Sequence, residues 1–229
     1  MSWLSIIVPT LNEAQHIVPL LARIKAMRER GVEVIVVDGG STDDTPTLAA
    51  PLADQVVNAP RGRARQMNAG AARATGAALL FLHADTRLPD DAVRAVDRAL
   101  NRYRWGRFNV RFESRRPLLR LVARMMNLRS RLTGIATGDQ ALFVTRAAFE
   151  SVGGFPEQPL MEDIELSRRL KKTGSPACLK ISVVTSARRW EEHGAWRTIL
   201  LMWRLRWAYW RGAHPAQLAQ CYNRPPRAV

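Results

Sequence analysis

The chain has 229 residues, with 35 Lys+Arg against 20 Asp+Glu and hence a formal charge of +15. At that length, 47% hydrophobic and 24% charged, it fits one large globular domain or two small ones and is neither fibrous nor disordered. Cys178 and Cys221 are its only cysteines, which excludes a disulfide scaffold and a Cys-based zinc site.

The first predicted element is a buried strand, Leu4-Ser5-Ile6-Ile7-Val8, stopped by Pro9. No basic segment precedes it, so no secretory signal is expected and a cytoplasmic location follows by default. From Ala14 to about Arg30, Ile17, Leu20, Leu21, Ile24 and Met27 recur at helical spacing, with Gly31 as a stop. A second buried strand runs from Val32 to Val37, ends at Asp38, and turns through Gly39-Gly40-Ser41 into a short helix near Thr42. A brief strand is expected around Gln55-Val57, a helix over 63–75, a buried strand over Ala77–Leu82, and a helix opening at Pro89 and reaching about Asn101.

Short apolar strands alternating with helices predict an α/β fold with a mostly parallel sheet covered on both faces. In such sheets ligands bind beyond the carboxyl ends of the strands. The segments found there are Pro9-Thr10-Leu11-Asn12-Glu13, Asp38-Gly39-Gly40-Ser41-Thr42-Asp43 and His83-Ala84-Asp85-Thr86. Turn chemistry would explain any one of them; three polar, acidic loops in succession predict a shared site. No G-x-G-x-x-G follows the first strand and no Walker lysine motif occurs, which speaks against a dehydrogenase or a P-loop ATPase. Asp85, at a strand end, is placed to hold a hard divalent cation on a substrate's phosphates.

Charge divides the chain. Residues 1–100 carry 11 basic and 11 acidic side chains, whereas residues 101–229 carry 24 and 9. Nearly all the cations are arginine, whose guanidinium can bond two phosphate oxygens at once, although genomic GC content alone would produce the same bias. Two stretches of the second half mix arginine with apolar residues. One runs from Arg115 to Arg131; in the other, Trp196, Ile199, Leu200, Trp203, Trp207 and Trp210 recur at helical intervals. The second is too short and too charged to span a membrane. Peripheral contact with a cytoplasmic membrane face is one expectation, and packing against the rest of the chain or a second copy is the other.

The ordered loops, continued by Asn68-Ala69-Gly70, Ala74-Thr75-Gly76, Phe81-Leu82-His83-Ala84-Asp85, Gly138-Asp139-Gln140, Gly153-Gly154-Phe155 and Met161-Glu162-Asp163-Ile164-Glu165-Leu166, resemble the family 2 glycosyltransferases of the GT-A fold over about residues 4–190. The small size, Phe-Leu-His-Ala-Asp-Thr and Gly-Asp-Gln are similar to a bacterial subgroup associated with arsenosugar or selenium-related gene sets. The resemblance implies one GT-A-like domain over 1–229. It would comprise a nucleotide-sugar half (1–100), an acceptor and catalytic half (101–193) and a basic aromatic C-terminal helix and tail (194–229).

It further implies inverting transfer from a nucleotide-sugar, expected to be a UDP-sugar, to an unidentified small or lipid-linked acceptor. Pro9, Thr10, Glu13 and Asp38 would line the nucleotide pocket, with Ser41 nearby and Arg63 toward the diphosphate. Asp85 matches the last acid of the family's D-x-D and would hold Mn²⁺ or Mg²⁺, with His83 in place of the first acid. Asp163 would be the general base, and Asp139, Glu162 and Trp190 would lie on the acceptor side. Helix capping is the plainer account of the acids at 162–165, and a turn residue that of Asp139. Two other readings stay open: a sugar-nucleotide binder without catalysis, because of His83, and a basic nucleic-acid-binding protein. No nucleic-acid motif appears, so no nucleic-acid partner is expected.

Overall fold

The computed structural model describes residues 2–192 and 194–223; the end of the C-terminal helix and tail expected over 194–229 lies outside them. In chain order the first half contains β1 (Leu4–Thr10), α1 (Ala14–Arg28), β2 (Glu33–Asp38), α2 (Thr45–Ala49), β3 (Gln55–Asn58), α3 (Arg63–Arg73), β4 (Ala78–Phe81), β5 (Thr86–Arg87) and α4 (Ala92–Leu100). The second contains β6 (Trp105–Phe112), α5 (Pro117–Thr133), a 3-10 turn at Gly138–Gln140, β7 (Phe143–Thr145), α6 (Arg146–Ser151), α7 (Glu162–Leu170), β8 (Ala177–Thr185), α8 (Arg188–Glu192), α9 (Ala195–Trp210) and α10 (Pro215–Asn223).

The strands form one mixed sheet in the order β3-β2-β1-β4-β7-β6-β8-β5. β1 pairs in parallel with β2 and β4, and β2 with β3, as the alternating pattern predicts. β7 runs antiparallel between β4 and β6, β8 is parallel to β6, and β5 is antiparallel to β8. Side chains on a strand alternate between faces. On β1, Leu4, Ile6 and Val8 therefore join Ile17, Leu21 and Val96 from α1 and α4, while Ile7 joins Ala64, Met67 and Ala71 of α3 on the other face. Burial on both faces is why these strands read as unbroken apolar runs rather than as alternation.

From β1 the chain moves outward to β2 and β3, then returns to the other side of β1 as β4. That reversal opens a crevice at the carboxyl ends of β1 and β4. Register brings the loops level, with Thr10 opposite Asp38 and Ile7 opposite Phe81.

The C-terminal helices form a separate layer. α9 buries Thr198 and Leu205, and Leu205 packs with Met161 and Leu218. Its remaining tryptophan edge faces away from the protein: Trp196, Trp203, Trp207 and Trp210 are all exposed, so packing against the catalytic domain is not what that edge does.

Candidate active site

A cavity of about 440 Å³ occupies the crevice. Its walls are the loop after β1 (Pro9, Thr10, Leu11 and Glu13), the start of α3 (Arg61, Gly62, Arg63 and Gln66), the loop after β4 (His83, Ala84 and Asp85) and Asp139. The roof comes from the second half: Arg188, Arg189 and Trp190 of α8, Thr198 and Met202 of α9, and Tyr222 of α10. A larger groove of about 920 Å³ lies away from these loops, between β6 and α5.

The first two loops are laced to each other. The Asn12 amide donates to Ser41 Oγ (2.9 Å), the Thr42 amide to Asn12 Oδ1 (2.8 Å) and the Glu13 amide to Thr45 Oγ1 (2.8 Å). Asp38 is buried, and its carboxylate accepts from the amides of Gly40 (2.9 Å) and Ser41 (2.8 Å) and from the Ser41 hydroxyl. Asp38 and Ser41 thus shape the loop beneath the cavity and are not part of its wall. Gln66, unremarked in the sequence, donates to the carbonyls of Thr10 (2.7 Å) and Val37 (2.9 Å) and so ties α3 to the ends of β1 and β2.

Glu13 faces inward with His16 Nδ1 at 2.9 Å and Arg188 at 3.9 Å. Burial, with Asp85 close by, lifts its carboxyl above the usual range despite His16 and Arg188. His83 is pushed down to about 4, first by burial and then by the charge of Arg63. Its imidazole is therefore neutral near pH 7, and the 3.7 Å approach of its Nδ1 to Asp139 is no ion pair.

No group of three or more potential metal-binding side chains is assembled among the described residues. Asp85 and a neutral His83 are two donors, enough for a cation that takes its other ligands from substrate phosphates and water. The imidazole suits Mn²⁺ better than Mg²⁺.

Asp163 sits one layer back, where Gly138 joins it to His83. Its Oδ2 accepts from the Gly138 amide (2.8 Å) and its Oδ1 from the Ile164 amide (2.7 Å). A small pocket beside it shares His83 with the main cavity. A Cβ on Gly138 would come within 2.6 Å of the His83 ring, so glycine there permits the ring and the base candidate to approach the same backbone.

At the start of α7 the acids divide by role. Glu165 accepts from Arg169 at 3.1 Å and has Arg168 at the same distance, a surface brace. Glu162 is buried, with Arg63 at 3.9 Å; burial, then repulsion by Asp163, pushes it up to about 7. Asp163 also acts on Arg63, His83, Arg129, Asp139 and Arg206, which places it at the electrostatic centre of the cluster.

Pro9, Thr10, Glu13, Arg63, His83, Asp85, Asp139 and Trp190 thus line one cavity, while Glu162 and Asp163 stand behind it. The sequence reading missed Gln66, Arg189 and Tyr222 as site residues. Arg189 lies 3.6 Å from the centre of the Tyr222 ring and donates to the Tyr222 carbonyl (2.9 Å). The signal for it in the sequence is the run Arg188-Arg189-Trp190. Arg129 and Arg206 were read only as part of basic helices.

A family model described as "Glycosyl transferase family 2" matches residues 5–144. The chain is 41% identical over 91 residues to a PGL/p-HBAD biosynthesis glycosyltransferase of Mycobacterium bovis (strain BCG / Pasteur 1173P2), covering 37% of this chain and 36% of that protein. The chain spans about a third of the length of the curated relatives it matches.

Among solved structures, the mannosyltransferase PcManGT from Pyrobaculum calidifontis, in complex with GDP-Man and Mn²⁺, superposes with a TM-score of 0.71 at 24% identity. It is covered over 68% of its length by 96% of this chain. Glucosyl-3-phosphoglycerate synthase from Mycobacterium tuberculosis, with Mn²⁺, UDP and glucosyl-3-phosphoglycerate, gives 0.59 at 19% identity, with 81% of this chain covering 70% of that one. At these identities the likeness is one of fold, and it is the GT-A arrangement expected from the sequence.

Proposed function

The chain belongs to glycosyl transferase family 2, and from that premise we propose that it moves a sugar from a nucleoside-diphosphate sugar to an acceptor hydroxyl with inversion at the anomeric carbon. The observation carrying this reading is the convergence of the β1 and β4 loops, Arg63 and Asp139 on one cavity at the sheet's reversal point. UDP is the expected nucleotide. A UDP-bound and a GDP-Man-bound neighbour of the same fold make either a reasonable first trial.

Asp163 is the proposed base. Each of its oxygens accepts one backbone amide, which fixes the carboxylate and leaves a lone pair on each for an acceptor O–H. As that proton passes to Asp163, the acceptor oxygen bonds to the anomeric carbon from the face opposite the diphosphate. The bond to the leaving oxygen breaks and its electron pair goes to the nucleoside diphosphate. Arg63, Arg188 and Arg189 stand where preorganised positive charge would stabilise that departure. Asp85 and His83 would hold a divalent cation, which supplies further neutralisation of the diphosphate.

A thermal-shift panel of UDP-, GDP- and dTDP-sugars with Mn²⁺ or Mg²⁺ identifies the donor, because a ligand bound only to the native state raises its melting temperature. Asp163→Asn is then expected to lower transfer by roughly 10²–10⁴-fold, the usual contribution of proton transfer, while keeping the donor's thermal shift. Turnover retained in that variant would move the base role to another carboxylate, Asp139 first.

A further inference from the structure

α5 and α9 each carry an unpartnered apolar stripe of the same periodicity. On α5 the exposed residues are Leu121, Met125, Leu128 and Leu132; on α9 they are Trp196, Leu200, Trp203, Trp207 and Trp210. The α5 series steps by four, three and four residues and the α9 series by four, three, four and three, the spacing of one helical face. The inner sides of the two helices are accounted for: Leu119, Val122 and Ala123 of α5 pack in one cluster with Phe112 and Ala187, and Ala195 and Ile199 of α9 rest on it. The stripes are thus the outer faces of helices that share an inner cluster. The four tryptophans are 60–82% exposed, too much large aromatic surface in one row to be incidental.

Charge identifies what covers them. Neither helix contains an Asp or Glu; exposed on α5 are Arg120, Arg124 and Arg131 and on α9 Arg197 and Arg204, whereas Arg129 and Arg206 turn inward toward Asp163. Arg120 and Arg124 flank the α5 stripe and line the groove toward β6, which Arg111 and Arg115 also border, together with Glu191 and with Glu113 paired to Arg87 at 2.6 Å. A second copy would set one arginine-rich, acid-free face against another, a like-charge arrangement that costs free energy. An anionic bilayer meets both features: tryptophan belongs at headgroup depth, and guanidinium groups bind lipid phosphates. No helix among the described residues is long and apolar enough to cross a membrane, so the contact is with the surface.

We propose that the outer faces of α5 and α9 form one docking surface for an anionic phospholipid bilayer, with Trp203 and Trp207 as its central anchors. The inner side of α9, through Thr198 and Met202, lines the cavity described above, so docking sets the roof of that cavity at the lipid surface. The surface itself does not depend on the transferase reading.

Sedimentation of the full chain with unilamellar vesicles tests it without any sugar nucleotide, so its result is independent of donor binding and turnover. The chain is expected to pellet with phosphatidylglycerol-containing vesicles at low salt, much less with phosphatidylcholine alone, and to be released as salt rises. Trp203→Ala/Trp207→Ala should weaken vesicle binding at least about tenfold, because each exposed indole removed forfeits its burial in the interface. Arg120→Gln/Arg124→Gln should flatten the salt dependence. All four side chains are exposed, so unchanged circular dichroism and melting temperature are expected for both variants. Wild type left in the supernatant at low salt overturns the proposal, as does a tryptophan double variant that binds like wild type. A dimer seen by light scattering and abolished by the tryptophan substitutions, without vesicle binding, would assign the face to a second copy instead.

Discussion

Burial sets Glu162 apart from a free glutamate, while its neighbour Asp163 is held by two backbone amides. Glu162 keeps its proton up to about 7, against 4.5 for a free glutamate. Between those values the folded chain holds one more proton than the unfolded chain, so stability falls as pH rises through that window. Glu162→Gln removes the titration, so its melting temperature should gain on wild type steadily from pH about 5 to about 8. A constant difference across that range would mean that Glu162 titrates normally. The backbone carries a related signature. The non-glycine residues with positive φ, among those described, are Asn12, Ala141 and Met161. One lies in the β1 loop, one follows Gly138–Gln140 and one immediately precedes Glu162, so each strained residue, at a cost of about 1–3 kcal/mol, abuts a site segment.

Among the elements, α3 explains why several motif fragments occur together. A Cβ on Gly70 would come within 2.5 Å of Ile7 Cγ2 and 2.8 Å of Val37 Cγ2, so the helix lies against β1 and β2 at glycine distance. Two positions earlier, Asn68 donates to the Phe155 carbonyl (2.8 Å) and accepts from the Phe155 amide (2.9 Å), clamping α3 to the segment before α7. Gly70→Ala should push the helix outward and cost roughly 1–3 kcal/mol of stability by overpacking. Because Arg63 and Gln66 ride on α3, the same variant should show a reduced thermal shift with the donor. Loss of stability with full donor response would uncouple the helix from the cavity.

The sequence was most readable where burial is two-sided: β1, β2 and β4 are plain apolar runs. β6 and β8 went unseen because Arg107, Asn109, Arg111, Lys180 and Ser182 interrupt them. Arg107 is fully buried, an event no residue pattern announces, and is held by Asn109 and by the carbonyls of Phe108 (3.3 Å) and Asn127 (3.1 Å). On α9 the helical interval of the tryptophans was legible, but periodicity defines a face without saying what covers it. The site divides the same way. The loops after β1 and β4 lie at one sheet edge and are legible from strand ends alone, while the roof from α8 to α10 depends on chain folding back over a distance that local pattern does not encode.

For the whole molecule, the division of charge at residue 100 does not coincide with a division of structure. β4 from the first half pairs with β7 from the second, and the sheet runs on through both. Each of its two apolar layers draws on both halves. Phe108, Val110 and Phe143 complete the layer of Ile17 and Leu21, while Trp105, Phe149 and Leu166 complete that of Ile7 and Val37. Neither half closes a core alone, so the chain should unfold in a single calorimetric transition, with a heat-capacity change of about 3 kcal/mol/K for this length. Residues 1–100 expressed alone should lack a cooperative transition and aggregate, because β4 would present an unpaired edge and both layers an open apolar face. Two resolved transitions in the full chain, or a folded monomeric fragment, would instead make the neutral half an autonomous nucleotide-binding unit to which the basic half had been added. The single sheet argues the reverse: the cationic half is the other wall of the same cavity, and of its charge Arg188 and Arg189 face that cavity while the arginines on the outer sides of α5 and α9 face away from it.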